Sequence, residues 1–166
     1  MITASIVLSE AAVIYDNLIA VQSQSYGAEP RGGATRADVV ISDSIIHYPK
    51  VIQPNVLICL TQEAYGKFYS IVRPGGLLIT DPRFVKTEKR VDAQQKEIEM
   101  YETVMAEIGK PIVFNICMLG AVIALTELVK SESIMKSLEK RIPADFLDMN
   151  RRALDIGIKL GEAAKN

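Results

Sequence analysis

The stretch from Asn55 to Thr80 reads NVLICLTQEAYGKFYSIVRPGGLLIT. Asn55 to Leu60 is nearly all apolar and of strand length, as expected of a strand covered on both faces. Thr61 stands where a helix needs an N-cap, and Ala64, Phe68 and Ile71 form the apolar stripe of the helix that follows. Arg73, Pro74, Gly75 and Gly76 end that helix, and Leu77 to Thr80 is a second strand closed by Asp81 and Pro82. The Gly75–Gly76 pair superficially resembles a phosphate loop, but no Gly-Lys-Ser/Thr follows, so it reads as an ordinary helix-to-strand turn.

Outward from this unit the alternation continues. Thr3 to Asn17 carries Val7, Ala11, Ile14 and Leu18 at helical spacing, and Ile19 to Gln24 reads as a strand. Ala37 to Ser42 and Ile45 to Tyr48, separated by Asp43 and Ser44, predict a hairpin. Val91 to Ile108 predicts a helix with Ile98, Tyr101, Met105 and Ile108 on one face and Gly109 as its stop. Pro111 to Phe114 predicts a strand, Cys117 to Val129 a buried helix, and Ser131 the cap of a helix to about Arg141. The last helix places Phe146, Met149, Ala153, Ile156 and Leu160 on one side, with Asp148/Arg152 and Asp155/Lys159 as i, i+4 pairs on the other. Strands alternating with helices predict an α/β fold, a three-layer α/β/α arrangement with a mostly parallel sheet that the hairpin makes mixed. With no repeats or linker-like segments, residues 1–166 are expected to form a single domain.

Composition narrows the function. The chain has 166 residues, 49% of them hydrophobic and 23% charged, enough to bury one sizeable core. A formal charge of −1 gives no basic field for phosphate backbones, so no nucleic-acid partner is expected. The longest apolar run, Ile116 to Leu125, falls well short of the roughly 20 residues that span a bilayer. The first cation is Arg31, so the N-terminus lacks the basic start of a secretory signal. Two cysteines, Cys59 and Cys117, each sit in an apolar run, which fits a reduced, cytoplasmic location. Two sulfurs cannot supply the four thiolates of an iron–sulfur cluster or a Cys-type zinc site.

Three positions invite chemistry. His47 is the sole histidine, without a second one for a metal site or relay, and is read as structural. Tyr65 and Tyr69, one helical turn apart beside Phe68, are read as packing. SYGAEPRGGATR, Ser25 to Arg36, concentrates three glycines, a proline, a carboxylate and two guanidinium groups between two strand-type runs. Consecutive Gly32 and Gly33 permit positive φ or a concavity of amide N–H groups, and Arg31 and Arg36 supply charge-assisted donors for carboxylate or phosphate. Turn chemistry alone also accounts for such a loop, and the residues themselves leave both readings open.

Gln24 to Pro49, QSYGAEPRGGATRADVVISDSIIHYP, resembles the signature of the gamma subunit, or gamma domain, of 2-oxoacid:ferredoxin oxidoreductases, with its Tyr-Gly-x-Glu-x-Arg-Gly-Gly loop and Val-x-Ile-Ser-Asp strand. Arg73 to Asp81, RPGGLLITD, is similar to the family's glycine turn, and Gly109 to Ala121, GKPIVFNICMLGA, to its Asn-x-x-Met-Leu-Gly-Ala helix start. Asn55 to Tyr65 and Asn150 to Gly161 extend the likeness over nearly the whole chain, and it looks most like the 2-oxoglutarate type.

The resemblance implies an accessory subunit of an enzyme that oxidatively decarboxylates a 2-oxoacid, passes electrons to ferredoxin and transfers the acyl group to coenzyme A. Thiamine diphosphate, Mg and the iron–sulfur clusters are then expected on partner subunits, with no catalytic or metal-ligating residue here. It singles out Tyr26, Gly27, Glu29, Arg31, Gly32 and Gly33, with Asn115 at a helix entrance, as cofactor-binding or subunit-interface residues. The family's opening strand and Gly-Gly-Gln-Gly turn have no counterpart before Met1, so the sheet is expected to lack its first strand, an edge that a homodimer of the isolated chain would cover. The rival expectation is a stand-alone α/β module that binds a nucleotide or acyl-CoA.

Overall fold

The computed structural model of the protein describes residues 2–25 and 35–165. Its parallel sheet is the Asn55–Thr80 unit extended by one strand: β3 (Val56–Cys59), β4 (Gly76–Thr80) and β5 (Ala93–Glu97), in that order, with Val56 opposite Leu77 and Leu77 opposite Gln94. Side chains alternate between the two faces. Leu78 joins Cys59, Tyr65 and Val85 in a small core beneath α2 (Gln62–Phe68), while Leu77 and Ile79, with Val56 and Ile58, face the main core. Both faces of this sheet are thus covered, which is the expected three-layer plan.

Local chemistry builds the crossover as the sequence predicts. Thr61 caps α2, its Oγ1 accepting from Ala64 N–H at 3.2 Å. In the following turn Gly75 takes φ +72°, a conformation that L side chains rarely adopt, and donates to the Asp92 carbonyl at 2.7 Å. A Cβ at Gly76 would lie 2.8 Å from the Asn55 carbonyl oxygen and 2.9 Å from that of Arg73, so the glycine pair serves the close approach of β3 and β4.

The main core is helical. α1 (Ile2–Ile14) buries Ala4, Val7, Ala11 and Ala12; α3 spans Met100–Glu107 and stops at Gly109, which has φ +72°. α4 (Phe114–Thr126) is buried from Ile116 to Ala124, with α5 (Ser131–Arg141) and α6 (Ala144–Ala163) around it. α4 and α6 cross through glycine: a Cβ at Gly157 would strike the Cys117 carbonyl oxygen and sit 2.7 Å from its carbon and 3.0 Å from Ala121 N. The exposed face of α6 pairs outward rather than along its own helix. Arg152 donates to the Glu107 carbonyl at 2.9 Å and Arg151 pairs with Glu139 of α5, in place of the predicted i, i+4 pairs.

Three segments depart from the sequence reading. The antiparallel partner of β2 (Arg36–Ser42) is β1 (Ile19–Ser25), in register from Ile19 with Ser42 to Ser25 with Arg36, and Ile45 to Tyr48 forms no strand. The expected strand from Ala37 to Ser42 is β2, but a partner that precedes it in sequence won over the following one. Ala93–Glu97 is a strand where a helix was expected: its polar AQQKE pattern is that of a sheet edge, where Lys and other polar groups discourage further pairing. Pro111–Val113 is one 3₁₀ turn leading into α4, because proline at the first helical position preorganises a helix start.

Candidate functional site

Ligands of open parallel sheets gather at the carboxyl ends of the strands. Here that end is organised by Asp81, fully buried just past β4. Its Oδ1 accepts from Arg83 N–H at 2.9 Å, and its Oδ2 accepts from Tyr101 N–H at 2.8 Å, so one carboxylate ties the strand exit to the first turn of α3. Negative charge there also complements the helix dipole. Around it Phe84, Tyr101 and Phe114 form an aromatic triad, with ring centroids 5.0 Å (Phe84–Tyr101), 5.7 Å (Tyr101–Phe114) and 5.8 Å (Phe84–Phe114) apart. Two of the contacts are edge-on, the geometry favoured by ring quadrupoles.

Phe114 opens α4, and Asn115 is its next residue. The start of α4 has no side-chain cap. The Asn115 Oδ1 is buried and accepts no hydrogen bond from any described residue, as is true of Thr80 Oγ1 at the end of β4. A buried acceptor left unpaired costs about 1–3 kcal/mol. Asn115 is thus placed where a helix entrance meets the aromatic triad. Tyr26, Gly27, Glu29, Arg31, Gly32 and Gly33 lie outside the described residues; the loop that contains them joins the ends of β1 and β2.

The remaining candidates are resolved by their surroundings. His47 lies exposed in an irregular segment. Tyr65 is buried, its hydroxyl exchanging hydrogen bonds with the backbone of Lys89 at 3.1 and 3.3 Å, and its ring lies 5.6 Å from that of Tyr69. Burial pushes the Cys59 thiol up to about 11 and the Cys117 thiol up to about 12, the latter aided by the charges of Asp81 and Glu107. Neither sulfur is therefore a ready thiolate. We expect no reaction of a disulfide reagent with the native chain at pH 8 and two thiols released after unfolding in guanidinium, read by absorbance; a fast native thiol would contradict this burial.

Asp81 and the triad were not recognised from sequence. The Asp81-Pro82 step at a strand exit was the available signal, since Asp favours bonding backbone N–H groups two residues on.

A family model for pyruvate ferredoxin/flavodoxin oxidoreductase matches residues 1–160. The chain belongs to this oxidoreductase family. Among relatives of this family member, the 2-oxoglutarate synthase subunit KorC of Methanocaldococcus jannaschii is 42% identical over 164 residues, covering 98% of this chain and 88% of KorC. The ketoisovalerate oxidoreductase subunit VorA of Methanothermobacter marburgensis is 32% identical over 139 residues, which are 84% of this chain but only 28% of VorA. Among solved structures, the keto/oxoacid ferredoxin oxidoreductase gamma subunit of Geobacter sulfurreducens superposes with a TM-score of 0.88 at 39% identity, over 98% of this chain and 92% of its own. The α/β fold expected for a gamma subunit is therefore the one observed. No helix among the described residues is long and apolar enough to cross a membrane.

Proposed function

We propose that this chain is the gamma-type subunit, a single domain, of a cytoplasmic 2-oxoacid:ferredoxin oxidoreductase of the 2-oxoglutarate synthase type. The observation that carries the reading is the 42% identity to a 2-oxoglutarate synthase subunit over nearly the full chain. The complex oxidatively decarboxylates 2-oxoglutarate, passes two electrons through its clusters to ferredoxin and transfers the acyl group to coenzyme A.

Thiamine diphosphate, magnesium and iron–sulfur clusters supply the decarboxylation and electron-transfer chemistry from partner subunits. The chain's two cysteines, Cys59 and Cys117, fall short of the four thiolates that a cluster needs, which supports that division. The chain's own contribution is to complete the coenzyme A side of the active-site region. Arg31 holds an anionic group of that ligand or of the adjoining subunit, and Gly27, Gly32 and Gly33 let backbone approach it, with Tyr26 and Glu29 as further cofactor-binding or subunit-interface residues of the same stretch. Asn115, with an acceptor unspent at an uncapped helix start, offers a hydrogen bond to the same region.

Reconstitution of the complex, assayed against 2-oxoglutarate, pyruvate and branched 2-oxoacids, tests this reading. Arg31→Ala should lower turnover or assembly by at least about tenfold, the loss of one charge-assisted contact, while leaving the melting temperature of the free subunit unchanged. A large drop in melting temperature with normal turnover would return the loop to turn chemistry. Native preparations that yield the chain always alone would instead favour a stand-alone binding module.

A further inference from the structure

Beyond Ser42 the chain turns back along β2: Arg36, at the far end of that strand, donates from its guanidinium to the Val51 carbonyl at 2.7 Å. The segment between forms no ladder with β2: no backbone hydrogen bond among the described residues links residues 45–50 to the strand. It carries Ile45, Tyr48 and Ile52 at 72%, 59% and 69% exposure, three large apolar side chains within eight residues. β2 itself is only partly buried along its whole length: Ile41 packs against the main core, whereas Ala37, Val39 and Val40 do not belong to it. Clustered exposure of this kind marks an interaction surface.

We propose that β2 and residues 45–52 form the face on which this chain docks a second protein chain of the oxidoreductase, the one equivalent to the part of VorA outside its matched 28%. The inference rests on the proposed function and names the surface through which that function is assembled. In VorA a domain like this one is covalently continuous with the rest of a longer polypeptide, so a separate chain must replace that linkage with a non-covalent interface. The chemistry of the face fits a protein partner rather than an anionic lipid surface. Lys50 is the only lysine in the segment, Arg36 is engaged by Asp38 at 2.7 Å, and Asp43 adds negative charge. Among the described residues no backbone group of residues 45–50 is paired with another backbone group, which also allows an extended strand of the partner to pair there.

The test uses the full complex. The free Ile45→Asp/Ile52→Asp variant should melt within about 2 °C of wild type, because both side chains already face water. Its association with the partner subunits should weaken at least tenfold, the loss of an interface anchor, and amide exchange across residues 45–52 of the wild-type chain should slow on assembly. Undiminished assembly of the variant, or exchange there that assembly does not slow, overturns the proposal; the exchange measurement decides alone if the variant misfolds. Slowing that occurs only as the free subunit is concentrated would assign the face to a second copy and likewise overturn it. Failure of the wild-type chain to join any partner subunit would sink the proposed function itself.

Discussion

Gly157→Ala should lower the melting temperature of the free subunit by about 5–15 °C. The added methyl gains about 1 kcal/mol of helix propensity, but it enters a crossing where the partner is backbone. A Cβ at this position strikes the Cys117 carbonyl group, and Ala121 N is 3.0 Å away. Neither can yield like the tip of a flexible side chain, so α4 and α6 must separate along a seam that also contains Gly120 and Gly161. Overpacking of this kind costs about 1–3 kcal/mol and more where the surroundings are rigid; against backbone about 3–5 kcal/mol is expected, which leaves about 2–4 kcal/mol after the propensity gain, each worth about 2–4 °C in a chain of this size. Gly66→Ala is the control. Gly66 lies in α2 with nothing within 4 Å of its would-be Cβ, so the substitution should raise the melting temperature slightly through helix propensity. Differential scanning calorimetry of the pair decides the matter, and equal melting temperatures would show that α4 and α6 are not in contact through these glycines.

Asp81→Ala should cost about 2–4 kcal/mol, the worth of two backbone hydrogen bonds to one buried carboxylate. The loss has two parts. Arg83 N–H, at the strand exit, and Tyr101 N–H, in the first turn of α3, are both left without acceptors. Asp81→Asn should fall between wild type and alanine, since its single remaining carbonyl oxygen can serve one of those donors while its amide opposes the other. Denaturant titration followed by circular dichroism gives the ranking. Alanine no less stable than asparagine would mean that burial of the charge, rather than its bonds, dominates. Because Asp81 fixes the position of Tyr101, and Tyr101 packs on Phe114 next to Asn115, both variants should also lower turnover of the assembled complex.

Much of this architecture is legible in local pattern. The β3–α2–β4 unit follows from an apolar strand, a threonine cap and a glycine turn, each of which does in the fold what its chemistry predicts, although α2 buries Tyr65, with Tyr69 packed beside it, rather than the expected stripe of Ala64, Phe68 and Ile71. The misreadings fall where tertiary context overrides local preference. AQQKE has no alternation that marks it as a strand, and it becomes one because the edge of β4 offers it a ladder. Likewise, β2 carries no information about whether its partner lies before or after it, and the partner proved to be on the far side of a glycine-rich loop. Asn115 was legible through resemblance alone, and its unspent acceptor is visible only once burial is known. Asp81 could not be singled out, because its role depends on Tyr101, twenty positions further on.

The β1–β2 pair and the three parallel strands share no ladder among the described residues. They are held to one another by side chains such as Ala20 and Ile41, which meet α1 in the same core as Ile79. Dispersion contacts of this sort change gradually with distance, whereas a main-chain hydrogen bond is lost abruptly as it is stretched. The two β bodies can therefore tilt by small amounts without breaking any cross-strand bond. A neighbour gripping β2 would shift the ends of β1 and β2 relative to the parallel strands at little energetic cost, without disturbing either ladder.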